Sequence, residues 1–252
     1  MANTGYNDAG RLMAGMRIVY EDEWLIVADK PSGLLTMSTG RSGEVTAYSI
    51  LTDYVSSGDG FRKTALGRER ERIFIVHRLD RDTSGLLVFA KDFKTKSMLQ
   101  ENWNETVLER KYTAILEGEI EDGEGWIETW LRENPKSMKM QCVGADASQS
   151  PADMEHDGWK YASSHCRTLK KGTLGGRKYT MVDFELETGR KNQIRAHAAW
   201  IGHPVAGDRK YGAMTNPIGR LCLHARTLSF THPHTGKAMA FSSRLPKGFR
   251  IE

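Results

Sequence analysis

Apolar residues in this chain come in short runs, each bounded by charged or turn-forming residues. The most apolar stretch, Ser84–Ala90, has the length of a strand. A membrane helix needs about 18 or more consecutive apolar residues, so no span is expected and the runs must pair with one another. Arg17-Ile-Val-Tyr20 and Trp24-Leu-Ile-Val-Ala28, split by Glu21-Asp22-Glu23, read as a hairpin closed by Lys30-Pro31-Ser32-Gly33. Residues 46–55 fit a short amphipathic helix, the Gly-rich charged segment 56–72 a loop, and 73–76 and 86–90 two buried strands. A helix is expected over 94–106, with Met98 and Leu99 on its core face. Strands follow at 111–116, 125–131, 159–169 and 178–187, the last two joined by a hairpin tip at Thr173-Leu174-Gly175-Gly176. A helix over 193–201 stops at Gly202, and 223–230 with 238–242 form a final hairpin. Residues 133–157 show no period and read as a flexible insertion. The sum is an α+β fold with a mixed, largely antiparallel sheet core flanked by helices.

The 252 residues suit one large domain or two intimate lobes. No period of 20–50 residues repeats. The N-terminus has no apolar signal core, and Cys142, Cys166 and Cys222 form no CxxC pair. A reducing, cytoplasmic compartment is therefore expected, with no disulfide framework. His224, His232 and His234 lack the carboxylate or cysteine companions of a metal centre, and no metal is expected.

Lys and Arg exceed Asp and Glu by 36 to 32. The distribution says more than the sum. Residues 160–178 hold six basic and no acidic side chains, whereas 101–128 hold nine acidic and two basic. Such polarity suits a protein that turns one face to a polyanion. Such a run also serves simply as solvated surface; if it meets a polyanion such as a nucleic acid, Lys170, Lys171, Arg177 and Lys178 are its expected contacts.

The densest polar segment is His77-Arg78-Leu79-Asp80-Arg81-Asp82-Thr83-Ser84-Gly85, set between two apolar strands. It reads either as a capped turn or as a functional loop on a rigid scaffold. If Arg78 and Asp80 continue the strand, their side chains point to the same side.

His77-Arg78-Leu79-Asp80 followed by Thr83-Ser84-Gly85-Leu86 resembles the signature of the RluA-type pseudouridine synthases. Lys30-Pro31-Ser32-Gly33-Leu34 resembles the family's opening block. Lys111-Tyr112-Thr113-Ala114 resembles its K-x-Y-x-A segment, although Lys and Tyr are adjacent here. Residues 189–197, with Gly202-His203-Pro204, Gly207-Asp208 and Tyr211-Gly212, resemble its closing block, with Asn192 where histidine is usual. The resemblance runs from about Arg17 to Arg250.

The resemblance implies one catalytic domain over 17–252 after a tail of residues 1–16, without a separate N-terminal RNA-binding module. It implies an active-site cleft across the sheet and isomerisation of uridine in ribosomal or transfer RNA. No cofactor and no obligatory protein partner are expected. Asp80 is the implied catalytic carboxylate. Arg195 is expected against it in a bidentate pair, and Tyr112 as a base-stacking ring with a hydroxyl near the sugar. Arg78 is expected to hold RNA from which the target base has been extruded. A non-catalytic RNA-binding protein would not need Asp80, Tyr112 and Arg195 together. A glycosidase would need a second carboxylate across the sugar, and Asp82 stands too close to Asp80 in sequence to supply it.

Overall fold

The structure, a computed structural model, describes residues 12–57, 61–64, 67–70, 72–101, 103–146, 148 and 150–252. Most of the expected N-terminal tail lies outside them. In chain order the elements are β1 (Arg17–Glu21), β2 (Leu25–Lys30), α1 (Ala47–Ser57), β3 (Phe61–Thr64), β4 (Gly67–Arg70), β5 (Phe74–Ile75) and β6 (Ser84–Ala90). Then come α2 (Phe93–Glu101), α3 (Trp103–Thr106), β7 (Val107–Glu117), β8 (Glu124–Glu133), β9 (Met140–Gly144) and α4 (Pro151–His156). The last are β10 (Lys160–Leu174), β11 (Arg177–Leu186), α5 (Gln193–Trp200), β12 (Leu223–Thr231) and β13 (Ala238–Ser242). Among the described residues no helix is long and apolar enough to cross a membrane.

The chain divides into two compact units, 1–108 with 225–243, and 109–224 with 244–252. In the first, strands run in the order β1-β2-β6-β12, with β13 beside β12 and β5 beside β6. β6 is buried along its whole length, as its unbroken apolar sequence requires of a central strand. Its sides are filled by Leu25, Val27, Leu99, Leu228, Phe230 and Phe241. Gly85 opens this strand at φ 115°, and a Cβ there would lie 2.1 Å from the carbonyl oxygen of Ala225. Only glycine lets β12 come so close, so this signature residue is fixed by packing.

The second unit carries β7-β11-β10-β8-β9, antiparallel throughout. β10 and β11 turn on Gly175 and Gly176, both at positive φ, the pairing that matches strand twist. Ile115, Ile127, Val182 and Phe184 pack with Ile194 and Ala198 of α5 into one core.

Three expectations change. The segment read as a loop holds the antiparallel pair β3–β4. The 133–157 insertion is ordered into β9 and α4, with Ser150 capping the helix through the Asp153 amide. On α2, Thr95 joins Leu99 as the buried pair four residues apart, and Met98 is only partly covered.

Candidate active site

Asp80 sits half-buried in a turn of the first unit, between buried Leu79 and exposed Arg81. The segment 30–36 grips the turn through its backbone. The fully buried Lys30 ammonium donates to the carbonyls of Pro31 (3.0 Å), Leu34 (2.7 Å) and Arg81 (3.0 Å). A buried ammonium must place all three protons, and here backbone oxygens take them. Thr36 Oγ1 donates to Leu79 O at 2.8 Å and accepts from Leu79 N at 3.2 Å. Gly33 N donates to Arg81 O, Arg81 Nε to Gly33 O, and Ser32 Oγ to Asp82 O. His77 Nε2 accepts from Val88 N, and its ring lies 4.9 Å from that of Trp103. The histidine of the signature is thus a brace for the turn. β5 ends at Ile75 and the chain bends at Val76, so strand alternation does not relate Arg78 to Asp80; Arg78 is exposed.

In the second unit, Tyr112 lies on β7 opposite Phe184 and packs against the core. Arg110, two residues earlier, shares its side of the pleat. Arg110 donates to the carbonyls of Leu186 and Glu187, tying β7 to the loop that leads into α5. Burial pushes its pKa below the ordinary arginine value. Gln193 fixes the same loop: its Oε1 accepts from Thr188 Oγ1 and Arg190 N, and its Nε2 donates to Ser163 O and Ser164 Oγ. Asn192, before α5, adopts φ 51°, a left-handed conformation that asparagine tolerates better than most side chains.

Arg195 makes its bidentate pair with Asp208, Nε to Oδ2 at 2.6 Å and Nη2 to Oδ1 at 2.8 Å. This edge of the guanidinium belongs to Asp208, thirteen residues along. Tyr211 lies against the guanidinium, ring centroid to carbon 5.0 Å. The Tyr211 hydroxyl donates to Asn192 Oδ1 at 3.3 Å and accepts from Met140 N at 2.9 Å. A carboxylate on one edge and a ring on one face leave Arg195 little freedom.

The expected RNA-binding lysines of the β10–β11 hairpin are largely engaged at home. Lys170 donates to Ile251 O at 2.6 Å, Lys171 pairs with Asp122 at 3.1 Å and Lys178 with Glu119 at 2.9 Å. Arg177 is exposed. The histidines have structural partners as well. His232 Nε2 meets Asp22 Oδ2 at 2.9 Å, and its Nδ1 accepts from the amides of His234 and Thr235. His234 bonds Thr95 Oγ1 and stacks on Trp24. Burial pushes the Asp22 carboxyl up, but hydrogen bonds from Leu25, Trp24, Tyr20 and His232 outweigh it and leave its pKa lowered. Among the described residues no cluster of His, Cys, Asp or Glu is arranged to hold a metal.

A sequence profile described as RNA pseudouridylate synthase matches residues 24–200, spanning both the Asp80 turn and the Arg195 helix. The chain belongs to the RNA pseudouridylate synthase family. It is an isomerase that converts uridine to pseudouridine in RNA. It is 34% identical to the uncharacterized RNA pseudouridine synthase YlyB of Bacillus subtilis (strain 168), covering 91% of this chain and 69% of that protein. It is 32% identical to the ribosomal large subunit pseudouridine synthase D of Nitrosomonas europaea, covering 92% of this chain and 62% of that longer protein. The solved structure of human RNA pseudouridylate synthase domain containing 1 aligns over 91% of this chain and 83% of its own, with a TM-score of 0.68 and 22% identity. That likeness shows the fold.

For a pseudouridylate synthase, the roles of Thr36, Arg110 and Asp208 escaped the sequence reading. Arg110 was within reach of it. The basic residue that shares a strand face with Tyr112 stands two positions away, and Lys111 beside it points to the other face.

His197 supplies a test of how α5 is held. It is fully buried, bonds Thr129 Oγ1 at 2.9 Å, and has no partner at Nδ1 among the described residues. Burial lowers its pKa from 6.5 to about 4. Between those values the unfolded chain binds a proton that the folded chain refuses, so stability is full above pH 6.5 and declines as pH falls towards 4. The loss from pH 6.5 to 5 is about 2 kcal/mol. Urea unfolding at pH 7 and pH 5 should show that loss in the native chain and a smaller one in His197→Gln. Equal pH slopes in the two proteins would remove His197 as the cause.

Proposed function

We propose that this synthase acts on uridines of structured RNA, ribosomal or transfer, in the cytoplasm, with residues 17–252 as the catalytic domain and Asp80 as the catalytic carboxylate. In the reaction the N1–C1′ bond of uridine breaks, the base turns, and C5 bonds to C1′. The C5 proton leaves and N1 ends protonated, so nothing is oxidised and no group is lost. A carboxylate can attack or stabilise the electron-poor sugar carbon while the base is detached. Tyr112 is proposed to stack on the base, Arg195 to act through its fixed guanidinium, and Arg78 to hold the RNA around the extruded nucleotide. Lys170, Lys171, Arg177 and Lys178 would add only a weaker, longer-range attraction, given the partners that three of them already have.

The observation that carries this reading is the turn itself. Its neighbours Leu79 and Arg81 are tied by Thr36 and Lys30 through backbone atoms, a rigid mounting for a carboxylate on a loop. The test uses ribosomal RNA and transfer RNA transcripts tritiated at C5 of uridine. Forming pseudouridine releases the label to water, and the transcript that loses it identifies the substrate class. Release from neither, with the protein folded, would refute the assignment.

A further inference from the structure

The basic hairpin that sequence reading favoured for RNA has three of its four cations engaged locally. Beside Arg195 the opposite holds among the described residues. The loop between β8 and β9 exposes Lys136 and Lys139, and the turn after Asp208 exposes Arg209. The two segments are joined by Lys210 Nζ donating to Met138 O at 2.6 Å and Met140 N donating to the Tyr211 hydroxyl at 2.9 Å. Neither 134–140 nor 209–220 contains an acidic residue. The carboxylates at the margin are already committed. Glu133 pairs with Lys191, Asp208 with Arg195, and Glu117 accepts from the Met214 and Thr215 amides and from Thr215 Oγ1.

The loop is also fixed in shape. Asn134 Oδ1 accepts from Lys136 N at 2.9 Å and Ser137 N at 3.1 Å, and Asn134 exchanges backbone bonds with Met138 and Lys139. Met138 is thereby held at φ 54°, a left-handed conformation that an ordinary side chain keeps only where the surroundings enforce it. Cations mounted on a fixed backbone lose less freedom on meeting phosphate than those of a mobile tail.

We propose that the lobe formed by 134–139 and 209–211 is the phosphate-binding surface for the RNA strand carrying the target uridine, with Lys136, Lys139 and Arg209 as its contacts. The proposal rests on the reading of Arg195 as part of the reaction site, because the lobe is built around Tyr211, the ring against that arginine.

The experiment compares the native chain with the triple variant Lys136→Gln, Lys139→Gln, Arg209→Gln, which leaves the loop's backbone bonds in place. The probe is a fluorescein-labelled RNA stem-loop with uridines in its loop, titrated across a salt series. Neutralising three phosphate contacts should flatten the slope of log affinity against log salt by about 2 and weaken binding about 10- to 100-fold at 0.1 M salt. Turnover on saturating RNA should be unchanged while KM rises, since these side chains do not touch the reacting atoms. A quadruple Gln variant at Lys170, Lys171, Arg177 and Lys178 should change the slope less. An unchanged slope in the triple variant, or a larger effect in the quadruple, would overturn the proposal. If the native chain forms no pseudouridine yet the triple variant loses the slope, the surface stands and the catalytic reading of Arg195 falls.

Discussion

Asp80→Asn is expected to abolish pseudouridine formation while leaving the fold and RNA affinity intact. The two side chains are nearly the same size, and the bonds that hold the turn run through the backbone of Leu79 and Arg81. The amide has neither the charge nor the nucleophilicity to meet an electron-poor C1′, so only the chemical step is affected. Removing a group that acts in the reaction typically lowers turnover by on the order of 10^4-fold or more. Tritium release from C5-labelled RNA measures this, with binding to the labelled stem-loop as the control. Turnover within tenfold of the native chain would sink the assignment of Asp80.

Arg195→Ala should be the most destabilising single change at the site, and its effect should separate into two parts. The Asp208 side chain is 1% exposed and receives two donors from Arg195. Alanine leaves a buried carboxylate without them, which costs about 3–5 kcal/mol. In a chain of this size the melting temperature should fall by roughly 10 °C. Turnover should fall as well. Changing Asp208→Ala in the same molecule removes the stranded charge and should restore much of the melting temperature, but none of the activity. A single variant that melts with the native chain would contradict the pairing. A double variant that regains turnover would show that Arg195 serves only the fold.

The elements that could be read from sequence are those in which local pattern and tertiary demand coincide. β6 announces itself by an unbroken apolar run, the β10–β11 turn by its glycine pair, and the Asp80 turn by polar residues crowded between two buried strands. β9 was hidden because Met140-Gln-Cys-Val-Gly144 is an edge strand, paired on one side only among the described residues and therefore free of strict alternation. β3 and β4 were hidden by a charged, Gly-containing sequence that reads as loop. Asp80, Tyr112 and Arg195 could be singled out by their motifs, but not the hold of Asp208 on Arg195. That pairing is set by where the chain returns after α5, which no local pattern encodes.

Lys30 has a practical consequence. An amine must be deprotonated and reach solvent before it can react with an acylating reagent, and this ammonium is fully buried with its protons on three carbonyls. Its labelling therefore reports the opening of the turn that carries Asp80, separately from the exposed lysines, which react at once. The chain thus carries a built-in clock for the motion of the turn that bears Asp80, readable by mass spectrometry on the unmodified protein.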